Sequence, residues 1–265
     1  MGELVFIGLG LHDDRDLTLR AREEARSCST LFAEFYTSRL TGAKVPRLEA
    51  VFRKPIQVLG RDEVEDGRTI LEAAKEGKVG LLTAGDSMAA TTHVDLRLRA
   101  HRLGIATRVV TGVSALTAAA GALGLQHYKF GRTTTLPLRE EGFAPTSPYE
   151  VLAANRDAGL HTLALLDLKE ERLMTPRDGL AYLLAMEDRL SRGVVGPETV
   201  ACVAGALGSS RPTLLADRVE RLLRADPGPP LHVLVLPGPL HFMEVEALRA
   251  FAGLPPSVAK ELSGT

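Results

Sequence analysis

One apolar stretch that runs into two glycines is the clearest indication of the fold class. It is Leu4-Val5-Phe6-Ile7-Gly8-Leu9-Gly10-Leu11. Its first four residues form a short apolar run that is typical of a buried strand. The two close glycines after the run predict either a simple tight turn or a loop that a ligand can approach closely. The third glycine and the following helix of the dinucleotide-binding fingerprint are missing, so a fold of that kind is not indicated.

The rest of the first half alternates between short apolar runs and amphipathic segments. Further strands are predicted at Leu31–Ala33, Ile56–Leu59, Val79–Leu82 and Thr107–Val110. The helices are predicted at Thr18–Ser27, Arg68–Lys75 and Thr92–Arg102. Strands that alternate with helices indicate a parallel sheet with helices on its faces.

The second half repeats this pattern with its own sheet. Its predicted strands are Thr133–Pro137, His161–Leu168, Thr199–Val203, Thr213–Leu215 and His232–Leu236. Its clearest helix is Pro176–Arg192, with Thr175 as N-cap and Gly193 as its end. A helix at His241–Ala252 and a long loop at Arg139–Pro148 are also predicted. We therefore expect an α/β protein with two lobes, residues 1–112 with a parallel sheet and residues 113–265 with a mixed sheet.

Composition narrows the classes of function. The chain has 265 residues, of which 45% are apolar and 25% charged, as in ordinary globular proteins. Its net charge of −1 leaves no basic excess for phosphates, so no nucleic-acid partner is expected. The uncharged stretch Val109–Leu125 is mostly Ala, Gly, Thr and Ser, so it predicts a buried strand and helix and no membrane span.

Residue choice also indicates a cellular setting. Cys28 and Cys202 are far apart in sequence, and we expect two buried thiols in a reducing cytoplasm. The N-terminus lacks the pattern of a secretory leader. The scarcity of amides, limited to Gln57, Gln126 and Asn155, makes a thermophilic source plausible.

Candidate binding residues follow the predicted strands, because ligands of open α/β sheets bind beyond the carboxyl ends of the strands. Asp86 follows the fourth strand and could accept from an amine or a ribose hydroxyl, or cap a helix beginning near Ala90. Ser114 follows the fifth strand and could cap the next helix or bind a ligand. His232 begins the last predicted strand and His241 follows the turn after it. A lone histidine near a strand is usually a structural residue, and no spacing of His, Cys and Asp suggests a metal site.

The sequence lacks the motifs of self-sufficient catalysts. It has no Gly-x-Ser-x-Gly elbow, no phosphate-binding lysine loop and no His-Glu-x-x-His. This pattern favours a scaffold of backbone-rich loops around a cofactor that supplies its own reactivity.

Seven segments together resemble one known family, the tetrapyrrole-methylase superfamily of class III S-adenosylmethionine methyltransferases. Within it the similarity is to the archaeal diphthine synthase group and covers nearly the whole chain. The segments are Ile7-Gly8-Leu9-Gly10-Leu11, Ala33-Glu34-Phe35-Tyr36-Thr37-Ser38, Ala90-Thr91-Thr92-His93, Tyr128-Lys129-Phe130-Gly131, Gly159-Leu160-His161-Thr162-Leu163, Leu166-Asp167-Leu168-Lys169 and Pro237-Gly238-Pro239-Leu240-His241.

The resemblance implies a fold, a cofactor and a substrate. The fold would be two α/β lobes with a cofactor cleft between them, and the protein would be a homodimer. The cofactor would be S-adenosyl-L-methionine, with S-adenosyl-L-homocysteine as product. The substrate would be the amino group of the modified histidine of translation elongation factor 2, methylated to diphthine. Transferred by motif, the cofactor-binding residues would be Leu11, Asp86, Ala89, Ser114, Ala115, Leu166, Leu207 and His232.

Two departures from the family pattern stand out. Ser87 follows Gly85-Asp86, where the family usually has proline. A common Ala-Arg-Ala-Gly-Ser pattern of the family is replaced by Ala204-Gly205-Ala206-Leu207-Gly208-Ser209. The cofactor contact transferred to Leu207 is therefore placed to within a residue or two. The alternatives are a corrin-type C-methyltransferase and a regulatory protein that binds the cofactor without turnover. The apolar positions Leu180, Leu183 and Leu184 offer a further argument for a dimer, unless that face packs on the sheet.

Overall fold

The computed structural model describes residues 2–138, 144–169 and 172–263. The chain divides into two compact units, Met1–Ala115 with Gly208–Ser210 and Leu116–Leu207 with Arg211–Thr265. Each unit has its own five-stranded sheet covered by helices, which confirms the predicted α/β class. The lobe boundary between residues 112 and 113 stays a prediction.

The first unit is built on a parallel sheet. Its strands are β1 (Glu3–Gly8), β2 (Thr30–Glu34), β3 (Gln57–Val58), β4 (Lys78–Thr83) and β5 (Ala106–Val110). Its helices are α1 (Leu19–Ser27), α2 (Val45–Phe52), α3 (Arg61–Asp66), α4 (Arg68–Glu76) and α5 (His93–Arg102). The strand order is β3-β2-β4-β1-β5, and every pairing is parallel. β1 therefore lies between β4 and β5.

Both faces of this sheet are buried, as the continuous apolar run of β1 predicts. Leu4 and Phe6 pack with residues of α4 and α5 on one face. Val5 and Ile7 pack with residues of α1 and α2 on the other face. Successive side chains of a strand point to opposite faces, so each apolar residue of β1 contributes to one of the two cores.

The second unit is built on a mixed sheet. Its strands are β6 (Thr134–Leu136), β7 (Thr162–Leu166), β8 (Val200–Gly205), β9 (Thr213–Arg218) and β10 (His232–Leu236). Its helices are α6 (Ala115–Leu123), α7 (Ser147–Asp157), α8 (Pro176–Leu190), α9 (Val219–Leu222), α10 (Phe242–Ala252) and α11 (Pro256–Leu262). The order is β6-β7-β10-β8-β9, with β6 and β7 parallel and the remaining pairs antiparallel.

Two predictions for this unit need correction. The helix expected at Pro176–Arg192 does start with a capping box, in which Thr175 and Asp178 bond reciprocally, but it ends at Leu190. Ser191 already takes the left-handed conformation that ends a helix, with φ +51, so Gly193 is not the stop.

The expected loop at Arg139–Pro148 is the second correction. Residues 139–143 lie outside the described residues, but Ser147 and Pro148 form the first turn of α7. Proline is favoured in the first turn of a helix, where no intrahelical donor is needed, so it marks the start of α7.

Candidate functional site

The carboxyl ends of β4, β1 and β5 lie side by side in the first sheet. The loop after β1 carries Leu11, and the loop after β4 carries Asp86 and Ala89. Ser114 follows β5, and Ala115 begins α6 directly after it. Because the three strands are parallel neighbours, these loops meet at the same sheet edge. The first unit thus brings together five of the eight residues predicted to bind the cofactor.

Glycines allow the three loops to touch through their backbones. A Cβ on Gly8 would lie 2.6 Å from the Gly112 nitrogen and 2.7 Å from the Gly85 carbonyl oxygen. A Cβ on Gly112 would overlap the same carbonyl oxygen. Gly10 and Gly85 exchange backbone hydrogen bonds of 3.2 and 2.6 Å. The glycines are therefore required for contact between the loops.

Gly85 differs from its neighbours in facing open space. It has a φ of +77, and a Cβ there would meet no heavy atom of the described residues within 4 Å. Ala90, a few residues later, is also left-handed, with φ +58. The next helix, α5, starts only at His93, so the predicted helix start near Ala90 is wrong.

Asp86 organises two of these loops. Its Oδ1 accepts from the Met88 amide at 2.9 Å, and its Oδ2 accepts from the Gly112 amide at 3.0 Å. Neither amide belongs to a helix of the described chain, so the alternative role of Asp86 as a helix cap is excluded. The Ala89 amide closes the same turn by donating to the Asp86 carbonyl at 3.2 Å.

Asp16 was missed by sequence reasoning and holds the loop of Leu11. Its Oδ2 accepts from the amides of Leu11 and His12 at 3.2 and 2.6 Å. A Cβ on Gly10 or on Gly208 would overlap Asp16, so both glycines make room for it. The repeated aspartates at 13, 14 and 16 are a turn signal that could have pointed to this role.

The remaining predicted residues meet at one edge of the second sheet. Leu166 ends β7, and His232 begins β10 opposite Gly205, the last residue of β8. The register Val233↔Leu165 places Leu166 beside His232. Leu207 follows Gly205 by two residues, after Ala206 in a left-handed conformation with φ +48. The second unit therefore gathers Leu166, Leu207 and His232.

His232 presents an unpartnered acceptor. Its side chain is 6% exposed, and its Nε2 lies 3.0 Å from the Pro227 carbonyl oxygen, so Nε2 carries the proton. Its Nδ1 is buried without a hydrogen-bond partner among the described residues. Burial lowers the pKa of His232, which keeps the ring neutral. The residue borders a cavity of about 230 Å³ with Val203, Leu215 and the chain at 225–230.

Three of the family segments form one buried polar network in the second unit. Glu244 is 1% exposed and accepts from the amides of Gln126 and His241, from Lys129 Nζ at 2.6 Å, and from His161 Nε2 at 3.0 Å. Burial alone would raise the pKa of Glu244, but these donors outweigh it and lower the pKa to about 2. His241 also caps α10.

The Glu34 segment forms a tight turn after β2. Glu34 is fully buried and accepts from the amides of Tyr36 and Thr37, both at 3.1 Å, and from the Thr37 hydroxyl at 2.5 Å. Since a buried carboxylate is costly without donors, this turn explains the acidic residue inside an apolar segment.

The described residues form neither a metal site nor a membrane span. Across the described ranges, no group of three or more His, Cys, Asp and Glu side chains could hold a metal ion. No described helix is both long and apolar enough to span a membrane. Cys28 and Cys202 are buried, as predicted, and burial raises their thiol pKa values to about 11 and about 12.

Comparisons with known proteins agree on one family. The model of the tetrapyrrole (corrin/porphyrin) methylases matches residues 3–225. Diphthine synthase of Methanothermobacter thermautotrophicus is 42% identical over 261 residues, 98% of this chain and 99% of the relative. That of Methanocaldococcus jannaschii is 43% identical over 251 residues, 93% and 97% of the two chains.

Solved structures give the same result. A crystal structure of diphthine synthase superposes with a TM-score of 0.89 at 35% identity, covering 97% of this chain and 99% of that one. A putative diphthine synthase from Entamoeba histolytica gives a TM-score of 0.87 at 34% identity, covering 95% and 99%.

Proposed function

Since the chain belongs to the tetrapyrrole methylase family, we propose that it methylates the modified histidine of translation elongation factor 2. The chain is an S-adenosylmethionine-dependent methyltransferase of diphthamide biosynthesis. The acceptor would be the amino group of the aminocarboxypropyl arm on that histidine, and the product would be diphthine. The observation that carries this proposal is the identity of 42% over nearly the full length of a diphthine synthase.

The network around Glu244 supports assignment of the chain to the diphthine synthase group within the family. Its members Lys129, His161 and His241 come from three segments on which the resemblance to the diphthine synthase group rests. Their contacts converge on one buried carboxylate, so the segments act together in the fold.

The residues present fit S-adenosylmethionine. Gly85 leaves open space beside a loop held by Asp86 and Gly112, where a ligand can approach the backbone. His232 Nδ1 is a buried acceptor that needs a donor, such as the exocyclic amine of an adenine. We propose Leu11, Asp86, Ala89, Ser114, Ala115, Leu166, Leu207 and His232 as the cofactor-binding residues.

The chemistry requires little from side chains. The sulfonium of S-adenosylmethionine supplies a methyl group that is already electrophilic. The protein must hold the acceptor nitrogen in line with that methyl and exclude water, and such positioning contributes up to about 7–11 kcal/mol. The loops are suited to this task because hydrogen bonds join their backbones to Asp16, to Asp86 and, at Gly10 and Gly85, to each other.

The quaternary structure and location are part of the same proposal. We propose a homodimer in the cytoplasm, where elongation factors work, and a thermophilic source. Leu180 and Leu183 give no support to the dimer, because both are buried in the core of the second unit, and Leu184 packs against that core. Sedimentation equilibrium at micromolar concentration should give about twice the chain mass of 28.4 kDa, and a mass near 28.4 kDa would exclude the dimer.

The experiment must distinguish this function from two alternatives, a corrin-type C-methyltransferase and a regulatory protein that binds the cofactor without turnover. The purified protein is incubated with tritiated S-adenosylmethionine and either a precorrin or elongation factor 2 that carries the unmethylated arm. We expect label in the factor alone. Label in the precorrin would favour the corrin-type enzyme, and tight binding without label in either would favour a regulatory protein.

A further inference from the structure

One carboxylate in the first unit contacts two segments that carry proposed cofactor-binding residues. Asp16 lies just beyond Leu11 in the chain that follows β1. Residues Gly208–Ser210 come from the second half of the sequence but belong to the first unit, and Leu207 directly precedes them. Leu11 and Leu207 are far apart in sequence, so any link between their segments is a tertiary contact.

The first contact of Asp16 is with the loop of Leu11. Its Oδ2 accepts from the Leu11 amide at 3.2 Å and from the His12 amide at 2.6 Å. The Asp16 amide donates to the Asp13 carbonyl oxygen at 3.1 Å, so the chain from Leu11 to Asp16 closes on itself. Hydrogen bonds from amides to a carboxylate are stronger than those to a neutral acceptor. The backbone conformation at Leu11 therefore depends on the Asp16 side chain.

The second contact is with Gly208, on the same carboxylate oxygen. A Cβ on Gly208 would overlap Asp16 Oδ2 and would lie 3.0 Å from Asp16 Cγ. Gly208 also has a φ of +87, a conformation that residues with a Cβ rarely adopt. Glycine at this position therefore lets the backbone lie directly against the carboxylate.

The contacts of Asp16 differ from those of the other aspartates in its turn. Asp13 pairs with Arg15 at 2.6 Å, and Asp14 pairs with Arg47. Asp16 forms no ion pair with another of the described residues, and backbone groups from two segments surround its Oδ2. Asp16 thus joins two parts of the backbone, whereas its neighbours each bind a cationic side chain.

The loop that Asp16 holds is also joined to the loop after β4. Gly10, which precedes Leu11, exchanges backbone hydrogen bonds of 3.2 and 2.6 Å with Gly85. A Cβ on Gly10 would overlap the Asp16 side chain, so this glycine also makes room for it. A shift of Asp16 would therefore move the loop of Leu11 where it meets Gly85.

We propose that Asp16 is a positioning residue for S-adenosylmethionine, which sets the loop of Leu11 and the segment of Leu207 against one carboxylate oxygen. This role does not require Asp16 to touch the cofactor. Because one oxygen serves both segments, a change at Gly208 should be felt at Leu11. The effect on cofactor binding rests on the proposed function, whereas the link between the two segments does not.

The link between the segments is tested without a ligand, by amide hydrogen exchange on the full chain. Asp16→Ala should speed exchange of the Leu11 and His12 amides by about tenfold or more, because their acceptor is gone. Gly208→Ala should speed the same two amides, because its methyl group displaces that acceptor. Gly104→Ala is the control, since it strains another left-handed glycine of the first unit that faces open space. Unchanged exchange of both amides in Gly208→Ala would overturn the link.

The effect on the cofactor is tested by calorimetry with S-adenosylhomocysteine. Asp16→Ala should bind it about tenfold more weakly or worse, the loss expected for hydrogen bonds to a charged group. Asp16→Asn keeps an oxygen that accepts from both amides, so its affinity should stay within about threefold of the unaltered protein. Equal losses for Asn and Ala would overturn positioning through these hydrogen bonds.

The matched control removes a similar contact from another part of the first unit. Glu49 Oε1 accepts from the Ile56 amide at 2.9 Å, so this carboxylate also holds a backbone amide. Glu49→Ala should leave the affinity for S-adenosylhomocysteine unchanged. An equal loss of affinity in Glu49→Ala and Asp16→Ala would mean a general loss of stability and would overturn the positioning role.

The charge of the ligand separates positioning from direct attraction. S-adenosylmethionine carries a positive sulfonium where S-adenosylhomocysteine has a neutral thioether. If Asp16 positions the loops, Asp16→Ala should weaken both ligands by the same factor. A larger loss for S-adenosylmethionine would overturn the positioning role in favour of attraction between the carboxylate and the sulfonium.

The outcomes separate this inference from the proposed function. If the unaltered protein binds neither S-adenosylmethionine nor S-adenosylhomocysteine, the proposed function and the positioning role fail together. The link between Gly208 and the loop of Leu11 is still decided by amide exchange. If the unaltered protein binds both ligands and Asp16→Ala binds them equally well, the positioning role alone fails.

Discussion

The carboxylate of Asp86 and the backbone amide of Gly112 are joined by a hydrogen bond of 3.0 Å between loops that follow two different strands. The other oxygen of the same carboxylate holds the Met88 amide at 2.9 Å. One side chain thus fixes the turn after β4 and links it to the turn after β5. The position of both turns depends on this charge, because hydrogen bonds to ionised groups are the strong ones.

Replacing Asp86 with alanine should weaken cofactor binding by roughly 1.5–3 kcal/mol, the range for a hydrogen bond to a charged group. Calorimetry with S-adenosylhomocysteine measures the effect. Asp86→Asn keeps one oxygen acceptor and should lie between alanine and the unaltered protein. Unchanged affinity for Asp86→Ala would limit Asp86 to a role in the fold.

A methyl group at Gly85 should separate backbone strain from loss of ligand space. Gly85 and Gly104 both have positive φ, +77 and +72, and both face open space. Alanine at either position should cost about 1–2 kcal/mol of unfolding free energy, because a left-handed residue with a Cβ is strained. Only Gly85→Ala should also weaken S-adenosylhomocysteine binding. Equal binding by the two variants would contradict a ligand site at Gly85.

Local patterns predicted the strands, because short apolar runs bounded by glycine or charge are distinctive. β1 was expected at Leu4–Ile7 and spans Glu3–Gly8, and β10 was predicted at its observed bounds, His232–Leu236. The helices α2 and α7 were not predicted, because Pro46 and Pro148 interrupt their sequences and lie in their first turns. Proline there is a start signal that resembles a loop signal.

The sequence predicted which loops form the candidate cofactor site, but it did not predict the hydrogen bonds between them. Strand alternation implied that Leu11, Asp86 and Ser114 follow strands of one sheet, but the order of those strands is a tertiary property. An aspartate such as Asp86 can cap a helix, link two loops or bind a ligand, and only its hydrogen-bond partners in the folded protein distinguish these roles. Asp16 belongs to a run of aspartates that signals a turn, but its partners, the amides of Leu11 and His12, are brought to it only by the folded loop.

Glu187 should make the stability of the protein sensitive to acid. Burial alone would raise its pKa, but donors from the amides of Val195, Gly193 and Val194 and from the hydroxyl of Tyr149 lower the pKa from 4.5 to about 2. The unfolded chain therefore takes up this proton first as the pH falls. The stabilisation is fully present above about pH 4.5 and is lost between pH 4.5 and 2.

Denaturant unfolding between pH 7 and pH 3 measures this effect. Glu187→Gln should be less stable than the unaltered protein at pH 7, with a smaller loss of stability toward pH 3. Glu246→Gln, at an exposed position of α10, is the matched control and should follow the unaltered protein. A pH dependence for Glu187→Gln equal to that of the control would show that Glu187 does not contribute.

Methylation of the arm on a folded elongation factor is tested most directly by comparing three acceptors. Intact elongation factor 2 carrying the aminocarboxypropyl arm, the same factor without the arm, and a short peptide bearing the arm are each incubated with tritiated S-adenosylmethionine. We expect label in the first, none in the second and little in the third, since the peptide lacks the surrounding protein surface. Equal rates on the first and second acceptors would contradict the account, because the methyl group would then be going to something other than the amine of the arm.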